Sequence, residues 1–490
     1  MRSLTRIALI AVSIACGVPL WGAATKAPMA AKGTARASAP LLTEAQARAY
    51  VKQIAPLVEK AAGRKFKSPP RVKIVQPVKY GTVFTNYLVP QAYTAFPQYS
   101  NDQLGRVYAA FYDVLAKGQP AWYDRHAQVV CIAPSCTPFR LKAAGIYRSR
   151  AGDLAKIMLA HELTHALIDQ ETRQTWLAEN VPYTAVAASG EGLAVFVEAK
   201  VADQLGIGDL VRKCLSRLGA SWKDTDHPAG QMLRRMNLSL ATDVYQKGRD
   251  FIAWHYAHGG IDHVWQVLLH PPAQTSMIYH PETYSPKVSG ADDCRPALKA
   301  AQSCFSGYFE WMIADTGEMQ LRALYWDMDT SLRDAVLADL ERARVLCGYG
   351  GDHSIMYVTV FVFKKPDMIP KFVSGLDDLL RKRLEAGSAV AKVTDLSFKP
   401  FEGVESDNSS RASFTSEPGK GDFRNIFVRV ARGRAMVEVF QQSTKDIDDR
   451  TIAKAIEAVF SKLPKDVPDH REQNIAAGGR NQVVQRVRAL

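Results

Sequence analysis

Between Asp153 and Gln170 the apolar residues Leu154, Ile157, Met158, Leu163, Leu167 and Ile168 recur at helical spacing, with no Gly or Pro among them. That pattern predicts a well-formed helix. Leu41 to Ala62 shows the same spacing. The Pro69-Pro70 break follows, then a β-branched run over 71–75 that reads as a strand. A second strand is expected at 128–132, so a small sheet precedes the 153–170 helix. Residues 191–205 are apolar on most faces and predict a buried helix. Residues 245–258 predict another, closed by an αL cap at Gly259-Gly260, and a further helix over 261–270 stops at Pro271-Pro272.

Past Cys347 the texture changes. Residues 353–363 alternate in the strand manner, and 425–430 and 435–440 flank a short polar turn as a hairpin would. Helical stretches near 367–386 and 446–463 bracket these strands, and 404–422 reads as a polar loop. The expected fold class is therefore α+β. A mostly helical unit over 41–347, with its small N-terminal sheet, is followed by an α+β accessory domain over 348–465 and a mobile tail over 466–490.

Residues 1–24 combine Arg2 and Arg6, an apolar run over 7–15 and the small residues Gly22-Ala23-Ala24, the layout of a secretory signal peptide. Cleavage after Ala24 is expected. Lipid attachment at Cys16 is the rival, although Ser13 stands where a lipobox wants an aliphatic residue. Pro19 interrupts the run and argues against a retained anchor, since a spanning helix needs about 20 apolar residues. Residues 25–40 are small and polar and read as a flexible spacer. The expected localisation is periplasmic or secreted, where disulfides are permitted. Cys131 with Cys136, and Cys294 with Cys304, are the candidate local bridges, although six cysteines allow 15 connectivities.

Composition alters this picture little. Hydrophobic residues make up 47% and charged ones 23% of the 490 residues, ordinary globular values that exclude a disordered or coiled-coil chain. The net charge of +13 suits an anionic envelope surface without selecting a partner. Its basic residues are scattered and form no recognition motif, so no nucleic acid is expected as partner.

The chemistry lies in the helix described first. His161-Glu162-Leu163-Thr164-His165 puts two imidazoles one turn apart on one face, where both reach a single Zn²⁺, with Glu162 beside them. A metal-bound water has its pKa lowered toward about 7, and an adjacent carboxylate takes its proton as the water attacks a carbonyl. The third ligand cannot follow the metzincin pattern, because Ile168 and Glu171 occupy the positions that would need Gly and His. A glutamate from the next helix is the alternative. Glu191 is preferred, because Gly190 and Gly192 let its helix approach the metal helix; Glu198, two turns on, would then support the site from behind.

His161 to Gln170 is similar to the metal helix of thermolysin-like gluzincins. The resemblance implies zinc ligation by His161, His165 and Glu191, one ion per chain, and peptide hydrolysis with Glu162 as general base. A longer resemblance, spanning 161–352, is to exported bacterial and archaeal HExxH proteins that combine four segments. Here these read His165 to Gln170, Glu191 to Ala194, Pro271 to Tyr284, and Gly348 to Asp352. Val195 stands where thermolysin-like enzymes carry an Asp that orients a zinc histidine, so another group must do this, and Asp169 is the nearest candidate.

An oxyanion donor is also required. His280 and Tyr284, on a proline-punctuated loop, are the candidates, although Pro281 and Tyr284 could equally serve to pack that loop. The clustered His255, His258 and His263 are kept out of the site, because His is electrostatically welcome at a helix C-terminus. The expected function is an exported zinc metallopeptidase acting on a peptide or protein substrate. The alternative is an envelope-maintenance or binding protein whose zinc is structural.

Overall fold

The computed structural model describes residues 42–75, 120–125, 127–172, 183–216, 239–285, 294–350, 354–387, 393–416, 423–445 and 448–464. The leader with Cys16, the spacer and the tail lie outside the described residues. The fold is α+β. Its described residues fall into two compact units, 42–285 and 294–464, divided between Gly290 and Ala291.

In the first unit α1 (Glu44–Ala62) opens on a capping box, with Thr43 and Gln46 satisfying each other's backbone N–H groups, and closes on Gly63 in the left-handed region. A three-stranded sheet follows: β1 (Arg71–Ile74), β2 (Ala121–Asp124) and β3 (Val129–Ile132), in the order β1-β3-β2. β3 runs parallel to β1 and antiparallel to β2. After α2 (Thr137–Ala144) come the two long helices α3 (Ala151–Thr172) and α4 (Tyr183–Gln204), then α5 (Gly208–Ser216). α3 is buried on most sides. A π-helical turn (Asp243–Lys247) leads into α6 (Gly248–Leu269), and α7 (Ser276–Tyr279) follows. The Trp265 indole on α6 donates to the Ala62 carbonyl at 2.7 Å, fixing α6 to the end of α1.

α4 begins at Tyr183, so Glu191 sits in its third turn instead of opening a helix. The break at Gly259-Gly260 is present, but Gly260 has φ 69° and ψ −169°. That region is essentially open to Gly alone, and it separates two helices that meet at a kink, so the expected break falls in place while Gly260 lies outside the αL well expected of the cap. Glycine does permit a close helix approach, but against α6 and not the metal helix. A Cβ on Gly192 would lie 2.3 Å from the Gly248 carbonyl, and one on Gly248 would lie 2.2 Å from the Ala188 oxygen.

The second unit holds α8 (Arg295–Gln302), β4 (Tyr308–Asp315), α9 (Glu318–Leu324), α10 (Thr330–Asp339), β5 (Leu340–Gly350), β6 (Ile355–Phe363), α11 (Ile369–Gly387), β7 (Val393–Lys399), β8 (Asn408–Ser416), β9 (Phe423–Arg432), β10 (Ala435–Ser443) and α12 (Asp449–Phe460). Its strands form one antiparallel sheet in the order β4-β5-β6-β10-β9-β8-β7. Alternation sends Val358, Val360, Val437 and Val439 to the face covered by α8 and α12. Phe361, Phe363 and Met436 go to the face covered by α9, α10 and α11.

The domain boundary expected at 347/348 therefore moves upstream, because β4 and β5 hydrogen-bond into this sheet. The expected β9–β10 hairpin is present, joined by Gly433-Arg434. The polar loop expected over 404–422 instead contains β8, whose alternate residues Ser410, Ala412, Phe414 and Ser416 are buried. Serines on the inward face hid its period. The expected disulfides are absent among the described residues: Cys131, Cys136, Cys294 and Cys304 are thiols, as are Cys214 and Cys347. No helix among the described residues is long and apolar enough to cross a membrane.

The glycine seam gives a paired prediction. Gly248→Ala should cost about 2 kcal/mol or more, since an added methyl meets backbone that cannot rotate away. Gly190→Ala, where a Cβ meets nothing within 4 Å, should raise stability by about 0.5–1 kcal/mol. Urea unfolding of both variants checks this.

Candidate metal centre

α3 and α4 carry the site between them. His161 and His165 lie one turn apart on α3, and Glu191 and Glu198 lie two turns apart on α4, so each pair shares a helix face. Glu191 Oε2 stands 3.1 Å from His161 Nε2 and 3.3 Å from His165 Nε2. The two Nε2 atoms are 3.2 Å apart. Ligands held about 2.0–2.1 Å from a tetrahedral zinc stand about 3.3 Å from one another, so the three atoms outline one face of such a tetrahedron. Among the described residues these three form the one His/Cys/Asp/Glu group of this kind.

Glu198 Oε2 lies 2.9 Å from His161 Nδ1. That contact settles the tautomer a metal would need: Nδ1–H donates to Glu198 and the Nε2 lone pair faces Glu191 and His165. The orienting carboxylate sought at Asp169 is therefore supplied by Glu198. Asp169 accepts instead from the Tyr123 hydroxyl at 2.9 Å. Gln170 ties down the chain entering β1, its Oε1 accepting from the Lys67 and Ser68 backbone N–H groups at 2.8 and 3.2 Å. The two residues that follow the zinc pair in the HALIDQ segment thus fasten the sheet to α3.

This fastening reaches Glu162. The Tyr123 backbone N–H donates to the Glu162 carboxylate, while burial pushes the Glu162 pKa up, against the opposing influence of His161 and His165. A raised carboxylate pKa is what a general base working near neutrality wants. Burial would also raise Glu191, but His165 and His161 outweigh it and hold its carboxyl at about 2. Burial disfavours charge on His161, yet Glu191 and Glu198 on its two ring nitrogens raise its pKa well above the usual imidazole value.

The oxyanion candidates are not brought to this cluster. Tyr284 donates its hydroxyl to the His270 carbonyl at 2.7 Å and packs edge-on against Phe251 and His255. His280 is half-exposed, with Nδ1 3.8 Å from Glu282. Tyr284 packs the loop onto α6. The nearer aromatic is Tyr245, whose ring centroid lies 6.0 Å from that of His161. It sits in the π-helical turn, which the Tyr279 hydroxyl pins by donating to Asp243 at 2.7 Å. Nothing in the sequence marks a π turn, so periodicity could not single Tyr245 out. His255 is buried with Nδ1 3.0 Å from His263 Nε2, and burial, then His263 and His258, lower its pKa to about 4.

No family model matches this chain, and no curated protein matches it. Among solved structures it is similar to the extracellular domain of PknH from Mycobacterium tuberculosis, at 14% identity and a TM-score of 0.22, over 34% of this chain and 90% of that one. At that score the likeness carries no argument about fold or function.

The protein should bind one zinc, lost in His161→Ala and Glu191→Gln. Glu198→Gln should keep the site but weaken affinity about 10–100-fold, by elemental analysis and chelator competition. Metal must also displace the proton that the raised pKa keeps on His161, so affinity should rise about tenfold per pH unit below that pKa. Chelator competition at pH 6 and pH 7 reads this slope.

Proposed function

We propose that this chain is an exported zinc-dependent hydrolase of peptide bonds, with His161, His165 and Glu191 as ligands and Glu162 as general base. The convergence of two imidazoles and one carboxylate beside a second buried carboxylate carries the reading. Structural zinc sites are normally closed by four protein ligands, whereas hydrolytic ones keep a position open. Three ligand residues converge here among the described residues, and a structural site has no use for Glu162.

Zinc, when bound, supplies Lewis-acid polarisation of the scissile carbonyl and lowers the pKa of water at the open position. The protein's own residues do the rest. Glu162, held by the Tyr123 N–H, takes the proton from the attacking water and returns it to the leaving amine. Glu198 keeps the His161 ring in one orientation. Tyr245 is the candidate hydroxyl for the developing oxyanion. Among the described residues β2 lies at an edge of its sheet, where an extended peptide can add as a further strand, which brings a scissile bond alongside Glu162. The secretory layout of residues 1–24 and the net charge of +13 support action at an anionic cell envelope.

Glu162→Gln should retain zinc and lose about 10²–10⁴ in kcat/KM on any peptide pool that the wild type cleaves. Tyr245→Phe should lose about 10²–10³, mostly in kcat, with zinc unchanged. Full activity in Glu162→Gln would remove the general base and the proposal with it. Mass spectrometry of the digests and parallel metal analysis provide both readouts.

A further inference from the structure

Gly260 divides α6 into two helical segments, and one side-chain contact spans the division. His255 Nδ1, on the first segment, lies 3.0 Å from His263 Nε2 on the second. Glycine makes room for this contact: a Cβ on Gly259 would lie 2.6 Å from the His263 Cβ. One shared proton satisfies both nitrogens while the rings are neutral. His255 is otherwise walled by aromatic rings, those of Phe251, Trp254 and Tyr284. Its Nε2 is buried and has no hydrogen-bond partner among the described residues.

A further proton has no favourable place in this pair. On His255 it makes a buried cation whose Nε2–H lacks an acceptor. With both rings charged, two N–H groups face each other across 3.0 Å. The exposed His258, stacked on Trp254, adds to the repulsion. The titratable groups that face His255 are thus His263 and His258 on α6 and Tyr284 from the loop beyond it, and no carboxylate among the described residues offsets a charge there. Charged groups on α6 and on the elements packed against it are engaged elsewhere. Arg64, past the end of α1, pairs with Asp262 at 2.7 Å, Lys200 of α4 lies over the Tyr256 ring, Arg249 pairs with Asp250, and Glu282 stands by His280.

We propose that the His255–His263 pair is a proton-operated latch across the kink of α6, closed while both rings are neutral and released in acid. The second segment carries Leu268 and leads to Pro271, which stand beside His165 and Glu191 at the metal centre, so release loosens one wall of that centre. The latch does not rest on the hydrolase reading. Closure holds His255 below the usual imidazole pKa, at about 4, so its contribution is complete above about pH 6.5 and is lost as the pH falls toward 4.

Hydrogen exchange of the full chain tests this, read by mass spectrometry on peptides covering 254–270 and corrected for intrinsic exchange rates. Protection there should fall about 20-fold from pH 7 to pH 5, a drop that the strands of the second unit do not share. His255→Gln, neutral throughout, should remove the pH dependence. Should that variant not fold, His263→Gln, at a partly exposed position, should shrink the drop, because the charge facing His255 is gone. Wild-type protection that stays flat between pH 7 and pH 5, or a drop that either folded variant leaves unchanged, overturns the proposal.

Discussion

A carboxylate with 3% of its side chain exposed, as Glu191 has, survives inside a protein only when positive charge stands against it. Here the compensation comes from two imidazoles on a neighbouring helix, and those imidazoles converge on one point. Much of the first unit can be understood as the machinery that enforces this encounter. α3 must be buried to present His161 and His165 to α4, and α4 must run two turns past Glu191 so that Glu198 can hold the far side of His161.

The same constraint explains the glycines. α4 has α3 on one side and α6 on another, and its seam with α6 closes to a spacing that only glycine at 192 and 248 permits. The π-helical turn before Gly248 is where the chain accommodates that approach, and the turn brings the Tyr245 ring beside His161. On the opposite flank the sheet is fastened by Asp169 and Gln170, so that β2 delivers a backbone N–H to Glu162. Neighbouring residues of one helix thus divide the work: His161 and His165 meet Glu191, Glu162 stands beside them, and Asp169 and Gln170 hold the sheet.

How much of this was legible in the sequence follows from the range of the interactions involved. His161, Glu162 and His165 lie within one helical turn, and their spacing alone places them on one face. Glu191 was legible because an acid among small apolar residues is conspicuous, though its helix starts eight residues earlier than the pattern suggested. The support by Glu198 follows from its seven-residue offset. Tyr245 was not legible, because a π turn is created by tertiary packing and leaves no period in the chain. His280 and Tyr284 were harder to read for a related reason: proline-punctuated aromatic loops look alike whether they serve a substrate or pack. In the second unit, β8 was masked by its inward serines, and β4 and β5 revealed their allegiance only through long-range pairing.

The central claim is that three particular atoms on α3 and α4 hold a zinc ion. Anomalous diffraction at the zinc absorption edge, on crystals of the zinc-loaded full chain, locates the ion without reference to any substrate. The account predicts one strong peak about 2.0–2.1 Å from His161 Nε2, His165 Nε2 and a Glu191 carboxylate oxygen. A peak seated elsewhere, at the His255 and His263 pair for instance, or no peak at the α3–α4 crossing in zinc-replete crystals, would contradict it.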